Sequence, residues 1–308
     1  MAAFISTGVL GLDIALGSGG IPCGHLTEIY GPEKCGKTAL CLLIAAEAQK
    51  SGHKAAFVDI DQTLDAGRAA RLGIDERELI YARPENARQA GEMARMLARS
   101  GALALVVIDS ITGLLALGDE NRMNVHLDNT RRDSASRELS QIVREMAVIA
   151  KDTVTAVVFT NETRGQAAKM YGVPATTPGG IALKLHAALR LEMTPTEHVR
   201  SGLVIAGEQV RVKVVKTKST TPFNTTFVNF MYNGEVSRLD NLFDLAVELK
   251  IITLQGSSYS CSKAFLGRGH EAAVSSLQKQ PQLVEELEAT IRRQFLPSFQ
   301  APLDEDSM

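Results

Sequence analysis

This sequence predicts an α/β fold: a mostly parallel central sheet flanked by helices, followed by a small α/β module. Three observations carry that expectation. Short apolar runs rich in β-branched residues alternate with segments of helical periodicity through the first 160 residues. A glycine-framed loop joins one such run to the helical pattern that follows it. Beyond residue 180 strand-like runs follow one another closely, and beyond about residue 237 helical patterns return. The chain has 308 residues, 45% of them hydrophobic, which suits one large domain with a second, smaller one and excludes widespread disorder.

In chain order, LTEIYG (26–31), AAFVDID (55–61), LALVVID (103–109) and VTAVVFTN (154–161) read as strands buried on both faces. Between them, Thr38–Lys50 reads as a helix stopped by Gly52, and Glu85–Ser100 as a helix with Pro84 in its first turn. In Ser136–Lys151 the apolar residues Leu139, Ile142, Val143, Met146 and Ile149 recur at helical spacing, with Arg137 and Arg144 two turns apart on another face. Strand–helix–strand repetition implies parallel pairing with helices on both faces. HAALRLEM, QVRVKVVKTK and TTFVNFMYNG then read as antiparallel extensions of the sheet. LFDLAVELKII, SSYSCS and LVEELEATIRRQF form the small module, and Pro281 ends any helix preceding the last of these. The expected division is a core over 1–236, a small domain over 237–296 and an acidic, flexible tail over 297–308.

No apolar run approaches the roughly 20 residues of a membrane helix. The opening MAAFISTGVLGLD has neither a basic start nor a signal-like apolar core. The four cysteines form no CxxC pair, so neither a disulfide nor a zinc framework is expected, and the expected setting is a reducing cytoplasm without a membrane partner. The formal net charge is −2. Any surface for nucleic acid must therefore be local, and two basic clusters offer one: Arg131, Arg132, Arg137 and Arg144, then Arg211, Lys213, Lys216 and Lys218.

GPEKCGKT fits G-x-x-x-x-G-K-[ST] at Gly31, Gly36, Lys37 and Thr38. The glycines let backbone N–H groups converge on phosphate oxygens, and the helix that follows adds its positive end. Lys37 would reach the β- and γ-phosphates, and Thr38 would give its hydroxyl to Mg²⁺. Asp109, closing the apolar run LVVID, is a second group for the metal. FVDIDQTLD supplies Asp59, Asp61 and Asp65: one could position an attacking water, or all three could be turn and cap residues.

These residues resemble the bacterial RecA recombinase family. The likeness runs from ISTGVLGLDIALGSGGIPCGHLTEIYGPEKCGKTAL through AAFVDIDQTLD, LVVIDS, TPGGIALKLHAALRLEM and RVKVVKTKSTTPF to LFDLAVELKII and GSSYS. It implies an ATP-dependent filament on single-stranded DNA that pairs this strand with a homologous duplex. By position, Gly31, Pro32, Glu33, Lys34, Cys35, Gly36, Lys37 and Thr38 would bind the triphosphate, Thr38 and Asp109 would support Mg²⁺, and Asp65 and Arg68 would lie by the adenine. Two DNA loops are implied, about 117–132 and about 162–178, with Arg132, Arg137, Arg144, Arg164, Lys169, Tyr171, Gly179 and Gly180 as DNA-binding residues. Lys216 and Lys218 match positions that reach the neighbouring subunit's ATP. On the residues alone, an exposed strand face explains the alternation in QVRVKVVKTK equally well.

The sequence departs from the family pattern at five places. Asp61 stands where the family has a catalytic glutamate, which implies slowed hydrolysis with binding kept. Glu162 replaces the glutamine that senses the γ-phosphate, placing a carboxylate near phosphate, where Arg164 or Mg²⁺ could compensate. Arg68 replaces an aromatic residue, Leu185 replaces a phenylalanine, and only Met1–Phe4 stand where the family carries its N-terminal polymerisation arm. The alternative left open by these departures is an accessory or regulatory protein that binds ATP and DNA but hydrolyses slowly and exchanges strands poorly.

Overall fold

The structure is a computed structural model that describes residues 4–120, 129–163, 180–202, 204–218, 223–261 and 264–296. A short ribbon, β1 (Phe4–Ile5) with β2 (Ile21–Pro22), brackets α1 (Leu10–Leu16). The core strands are β3 (Leu26–Gly31), β4 (Ala55–Asp59), β5 (Leu79–Ala82), β6 (Leu105–Asp109), β7 (Ala156–Glu162), β8 (Ala187–Ser201), β9 (Val204–Lys216) and β10 (Thr225–Met231). They form one eight-stranded sheet in the order β10-β9-β8-β3-β7-β6-β4-β5. Pairing is parallel from β8 through β5 and antiparallel at β8/β9 and β9/β10.

Alternation along each central strand divides the core between the two faces of the sheet. Ala55, Phe57, Leu105, Val107 and Val158 belong to one apolar cluster, and Ala56, Val58, Val106, Ile108 and Phe159 to the other. The first cluster is covered by α2 (Lys37–Lys50), the second by α4 (Ala87–Arg99) and α6 (Asn129–Thr153). Helix α4 buries Ala87, Ala90, Gly91, Ala94 and Ala98. These small residues let it approach α6 closely, and a Cβ at Gly91 would stand 3.0 Å from Ile142 Cδ1. Each fully buried phenylalanine, such as Phe57 or Phe159, contributes about 1.5–3 kcal/mol through removal from water.

The remaining helices are α3 (Ala66–Arg71), α5 (Ile111–Glu120), α7 (Gly180–His186), α8 (Arg238–Glu248), α9 (His270–Gln278) and α10 (Pro281–Phe295). The small module adds an antiparallel sheet, β11 (Ile252–Gln255), β12 (Ser258–Cys261) and β13 (Ala264–Arg268). Its apolar cluster includes Ile14 of α1, so α1 packs between the large sheet and this module. Beneath it Asp13 is fully buried and accepts from Ser6 Oγ (2.6 Å), Thr7 N (2.8 Å) and Thr7 Oγ1 (2.7 Å). Burial pushes its carboxyl up to about 6, against the lowering effect of these hydrogen bonds and of Arg292.

Three expectations are corrected. β8 is not an antiparallel extension on both sides: it pairs parallel with β3, and the reversal of direction comes at β8/β9. The helix at 85–100 begins at Ala87, capped by Asn86 Oδ1, which accepts from Gln89 N at 2.9 Å, so Pro84 lies outside its first turn. Of the first expected DNA loop, 117–120 close α5 and 129–132 open α6, while 121–128 lie outside the described residues. Among the described residues, no helix is long and apolar enough to cross a membrane.

Candidate nucleotide site

The order β3-β7-β6-β4 brings four C-terminal strand ends side by side, because the chain leaves β3 through α2 and skips two positions to reach β4. Crevices at such crossover points are where open α/β sheets bind ligands. Register fixes the neighbours: Gly31 stands opposite Glu162, and Asp59 opposite Asp109. The resulting cleft holds about 750 Å³ and is lined by Glu33–Thr38, Asp61, Asp65, Arg68, Asp109 and Glu162, among others. It thus brings together most of the residues expected to act on nucleotide.

The loop between β3 and α2 is built on two glycines at which a side chain would be strained or crowded. A Cβ at Gly31 would lie 2.3 Å from Met193 O and 2.8 Å from Cys35 Sγ. Gly36 has φ +90°, and its Cβ would meet the Phe230 ring at 3.1 Å. The Lys37 side chain is buried, and its Nζ donates to Pro32 O (2.8 Å) and Gly31 O (3.3 Å). The Gly31 carbonyl also accepts from Thr163 N at 3.1 Å.

Thr38 Oγ1 donates to Asp109 Oδ2 at 2.7 Å, and Thr160 Oγ1 donates to Asp109 Oδ1. Burial raises the Asp109 pKa; the Thr160 and Thr38 hydrogen bonds lower it, and Asp61 and Asp59 push it up again. A carboxylate under such pressure gains from a cation beside it. Thr112 Oγ1, also on the cleft wall, is buried without a protein partner. A hydroxyl donor set with an aspartate, plus an orphaned hydroxyl, fits a hydrated Mg²⁺ and a triphosphate.

The three acids of FVDIDQTLD separate. Asp59 is buried and accepts from Thr63 N (3.3 Å), Leu64 N (3.0 Å) and Tyr81 OH (2.7 Å), so it fixes the turn after β4. Asp65 caps α3, accepting from Arg68 N at 2.6 Å, and lies 4.0 Å from Arg71 Nη2. Asp61 is exposed, lies on the cleft wall and rests against Gly113, where an added Cβ would stand 2.0 Å from its Oδ1.

Lys216 and Lys218 do not line this cleft. Lys216 Nζ donates to Lys184 O (2.9 Å) and Leu185 O (3.0 Å) in the last turn of α7, and Lys218 Nζ lies 3.2 Å from His25 Nε2. Burial, then Arg190 and Lys218, hold the Lys216 pKa below its usual value. Leu185 is exposed beside them. Arg137 and Arg144 are exposed on α6, and Gly180 opens α7. Arg164, Lys169, Tyr171 and Gly179 lie outside the described residues, as does the Arg132 side chain.

Sequence reasoning missed Arg71, Thr112, Tyr232 and Gly234 on the cleft wall. They come from segments remote from the phosphate loop, and nothing in their local sequence points to it. It also missed the ion pair behind the loop: Arg190 Nε to Glu28 Oε2 at 2.5 Å, with Asn161 Nδ2 donating to Glu28 Oε1 at 2.9 Å. Arg190 stacks over the Tyr30 ring at 4.8 Å.

Comparison with known proteins places this geometry in context. Residues 2–237 match the RecA N-terminal domain and residues 240–296 the RecA C-terminal domain. The chain is 40% identical over 301 residues to Protein RecA of Thioalkalivibrio sulfidiphilus, covering 98% of this chain and 87% of that one. It is 40% identical over 292 residues to Protein RecA of Legionella pneumophila, covering 95% and 83%. Identity to Protein RecA of Clostridium tetani is 39% over 291 residues, covering 94% and 82%.

Proposed function

The chain belongs to the RecA family, and from that premise we propose how its own residues carry out the family's reaction. It is a RecA recombinase and a DNA-dependent ATPase of DNA repair; the accessory-protein alternative is not favoured, because relatives that resemble nearly the whole chain carry the RecA name. Members of the family use ATP and Mg²⁺, bind DNA and form filaments.

The finer reading is that this chain polymerises on single-stranded DNA and pairs it with a homologous duplex. Gly31–Thr38 wrap the triphosphate with backbone N–H groups, and Lys37 exchanges its carbonyl partners, Pro32 O and Gly31 O, for phosphate oxygens. Thr38 and Asp109 would hold Mg²⁺, which would supply positive charge against the phosphate oxygens. Asp61 orients the water that attacks the γ-phosphorus, releasing ADP and inorganic phosphate. Glu162 adds a second carboxylate near that point, and Arg68 and Asp65 face the base. Lys216 and Lys218, outside the chain's own cleft, serve the triphosphate of the next subunit. Arg132, Arg137, Arg144, Arg164, Lys169, Tyr171, Gly179 and Gly180 hold the DNA backbone with little readout of sequence.

The observation that carries the site assignment is the Thr38 Oγ1 to Asp109 Oδ2 contact of 2.7 Å beside the glycine-framed loop. It joins groups 71 residues apart into one metal and phosphate site. The test is ATP turnover with and without single-stranded DNA, with Lys37→Ala as the blank. Turnover stimulated by DNA and lost in the blank is expected. Stimulated turnover that survives Lys37→Ala would refute the assignment.

A further inference from the structure

On the α2 face of the sheet, near the C-terminal ends of β4, β6 and β7, three polar side chains form a row. Asp59 is 1% exposed, Asp109 4% and Thr160 0%. The next row down on that face is Phe57, Val107 and Val158, all in one apolar cluster. A buried hydroxyl costs free energy unless it is bonded, so Thr160 needs a partner. Register supplies one. Phe159 stands opposite Ile108, so Thr160 is the next step along β7 as Asp109 is along β6. Thr160 Oγ1 donates to Asp109 Oδ1, while Thr38 Oγ1 donates to Asp109 Oδ2 at 2.7 Å. Asp59, at the other end of the row, is engaged instead by Thr63 N, Leu64 N and Tyr81 OH.

We infer that Thr160 is a positioning residue for the metal: it holds the Asp109 carboxylate in the orientation from which Asp109 and Thr38 receive Mg²⁺. This rests on the metal reading of Thr38 and Asp109 given above and adds to it a residue outside the phosphate loop.

The argument is one of rotational freedom. An aspartate carboxylate turns over a broad range about its Cβ–Cγ bond. The bond from Thr38 fixes one oxygen and leaves the other to swing. The bond from Thr160, on a different element, fixes the second. Thr160 is itself held, because a β-branched side chain on a buried strand has little χ1 freedom. Each carboxylate oxygen can accept more than once, so both keep capacity for a cation or its water. Removing a group that orients a metal ligand in this way costs about 10–100-fold in metal affinity.

Two substitutions separate the hydroxyl from the methyl group. Thr160→Val keeps the shape and deletes the hydroxyl; Thr160→Ser keeps the hydroxyl and deletes the methyl. Thr160→Ala repeats the deletion of the hydroxyl in a smaller side chain, should Thr160→Val not fold. The affinity of the full chain for a fluorescent ADP analogue is measured in Mg²⁺ and in EDTA, and the ratio of the two is the contribution of the metal. In Thr160→Val this ratio is expected to fall about tenfold, with the affinity in EDTA within about threefold of the parent. Thr160→Ser is expected to keep the parent ratio within about threefold. In ATP turnover, Thr160→Val should raise the Mg²⁺ concentration needed for half-maximal rate about tenfold, with kcat at saturating Mg²⁺ little changed. An unchanged ratio in Thr160→Val overturns the inference and leaves the nucleotide reading intact. So does an equal fall in Thr160→Ser, or a loss in EDTA as large as that in Mg²⁺, since either marks a merely structural role. A parent whose binding Mg²⁺ does not strengthen would overturn the metal reading of Thr38 and Asp109 together with this inference.

Discussion

Adding one methyl group at Gly113 tests whether Asp61 is the catalytic acid, and the structure sets the size of the effect. The new Cβ would stand 2.0 Å from Asp61 Oδ1 and 3.0 Å from Asp61 Cγ. Ordinary contact begins at 3.4 Å, so the carboxylate must retreat by about 1.4 Å. The severe clash is with the end of an exposed side chain, the buried Ile60 Cγ2 at 3.0 Å needs to give only a few tenths of an ångström, and the site lies inside helix α5, where alanine is favoured over glycine by about 1 kcal/mol. The fold should therefore survive while the acid moves. A misplacement of about 1 Å at a reacting centre costs on the order of 100-fold in rate. Gly113→Ala is thus expected to lower kcat for DNA-stimulated ATP hydrolysis by about 100-fold, with a much smaller change in ATP affinity. In an Asp61→Asn background the same change should do almost nothing further. A Gly113→Ala turnover within twofold of the parent, with Asp61 intact, would refute the role given to Asp61.

Other predictions concern the frame. The Asp13 carboxyl is raised to about 6 in the folded chain, so its proton stabilises the fold below that pH, and this contribution is lost as pH rises through about 6. By linkage the parent should gain about 1.4 kcal/mol relative to Asp13→Asn between pH 7.5 and pH 5 in urea unfolding; a constant difference would contradict it. Gly36→Ala should cost about 1–3 kcal/mol, because it adds strain at φ +90° to a contact with the Phe230 ring, and it should weaken ATP binding measurably. Arg190→Met alone, leaving Glu28 buried and charged, should cost about 3–5 kcal/mol in thermal or urea denaturation. The double variant Arg190→Met/Glu28→Leu should recover much of that loss, and equal costs for the two would show that the charge pair is not what matters.

The strands and the phosphate loop were readable because each leaves a local mark. LVVI and AVVF are unbroken apolar runs, as strands covered on both faces must be, and Gly31 and Gly36 stand where an added side chain would be crowded. Local pattern could not assign the direction of β8, since its residues look alike whether the neighbour runs parallel or antiparallel. Nor could it separate Asp59 from Asp61. The difference lies in Tyr81, 22 residues downstream of Asp59, and in Gly113 against Asp61. The start of α6 was missed because NTRRDSAS is polar and shows no apolar period. The Glu28–Arg190 pair spans 162 residues, and no window of sequence contains it.

Helix α2 buries Lys37, Ala39–Ala46 and Ala48, leaving almost no outward face. Its amide protons should exchange with solvent only when the whole core opens, at the slow end of the chain's range. The groups proposed to hold the triphosphate, Lys37 and Thr38, therefore begin a helix that is buried almost throughout. Nucleotide meets a surface already in place, so little of the interaction is spent in arresting motion. Swings in nucleotide occupancy must then be felt elsewhere, in segments held by fewer contacts than this helix.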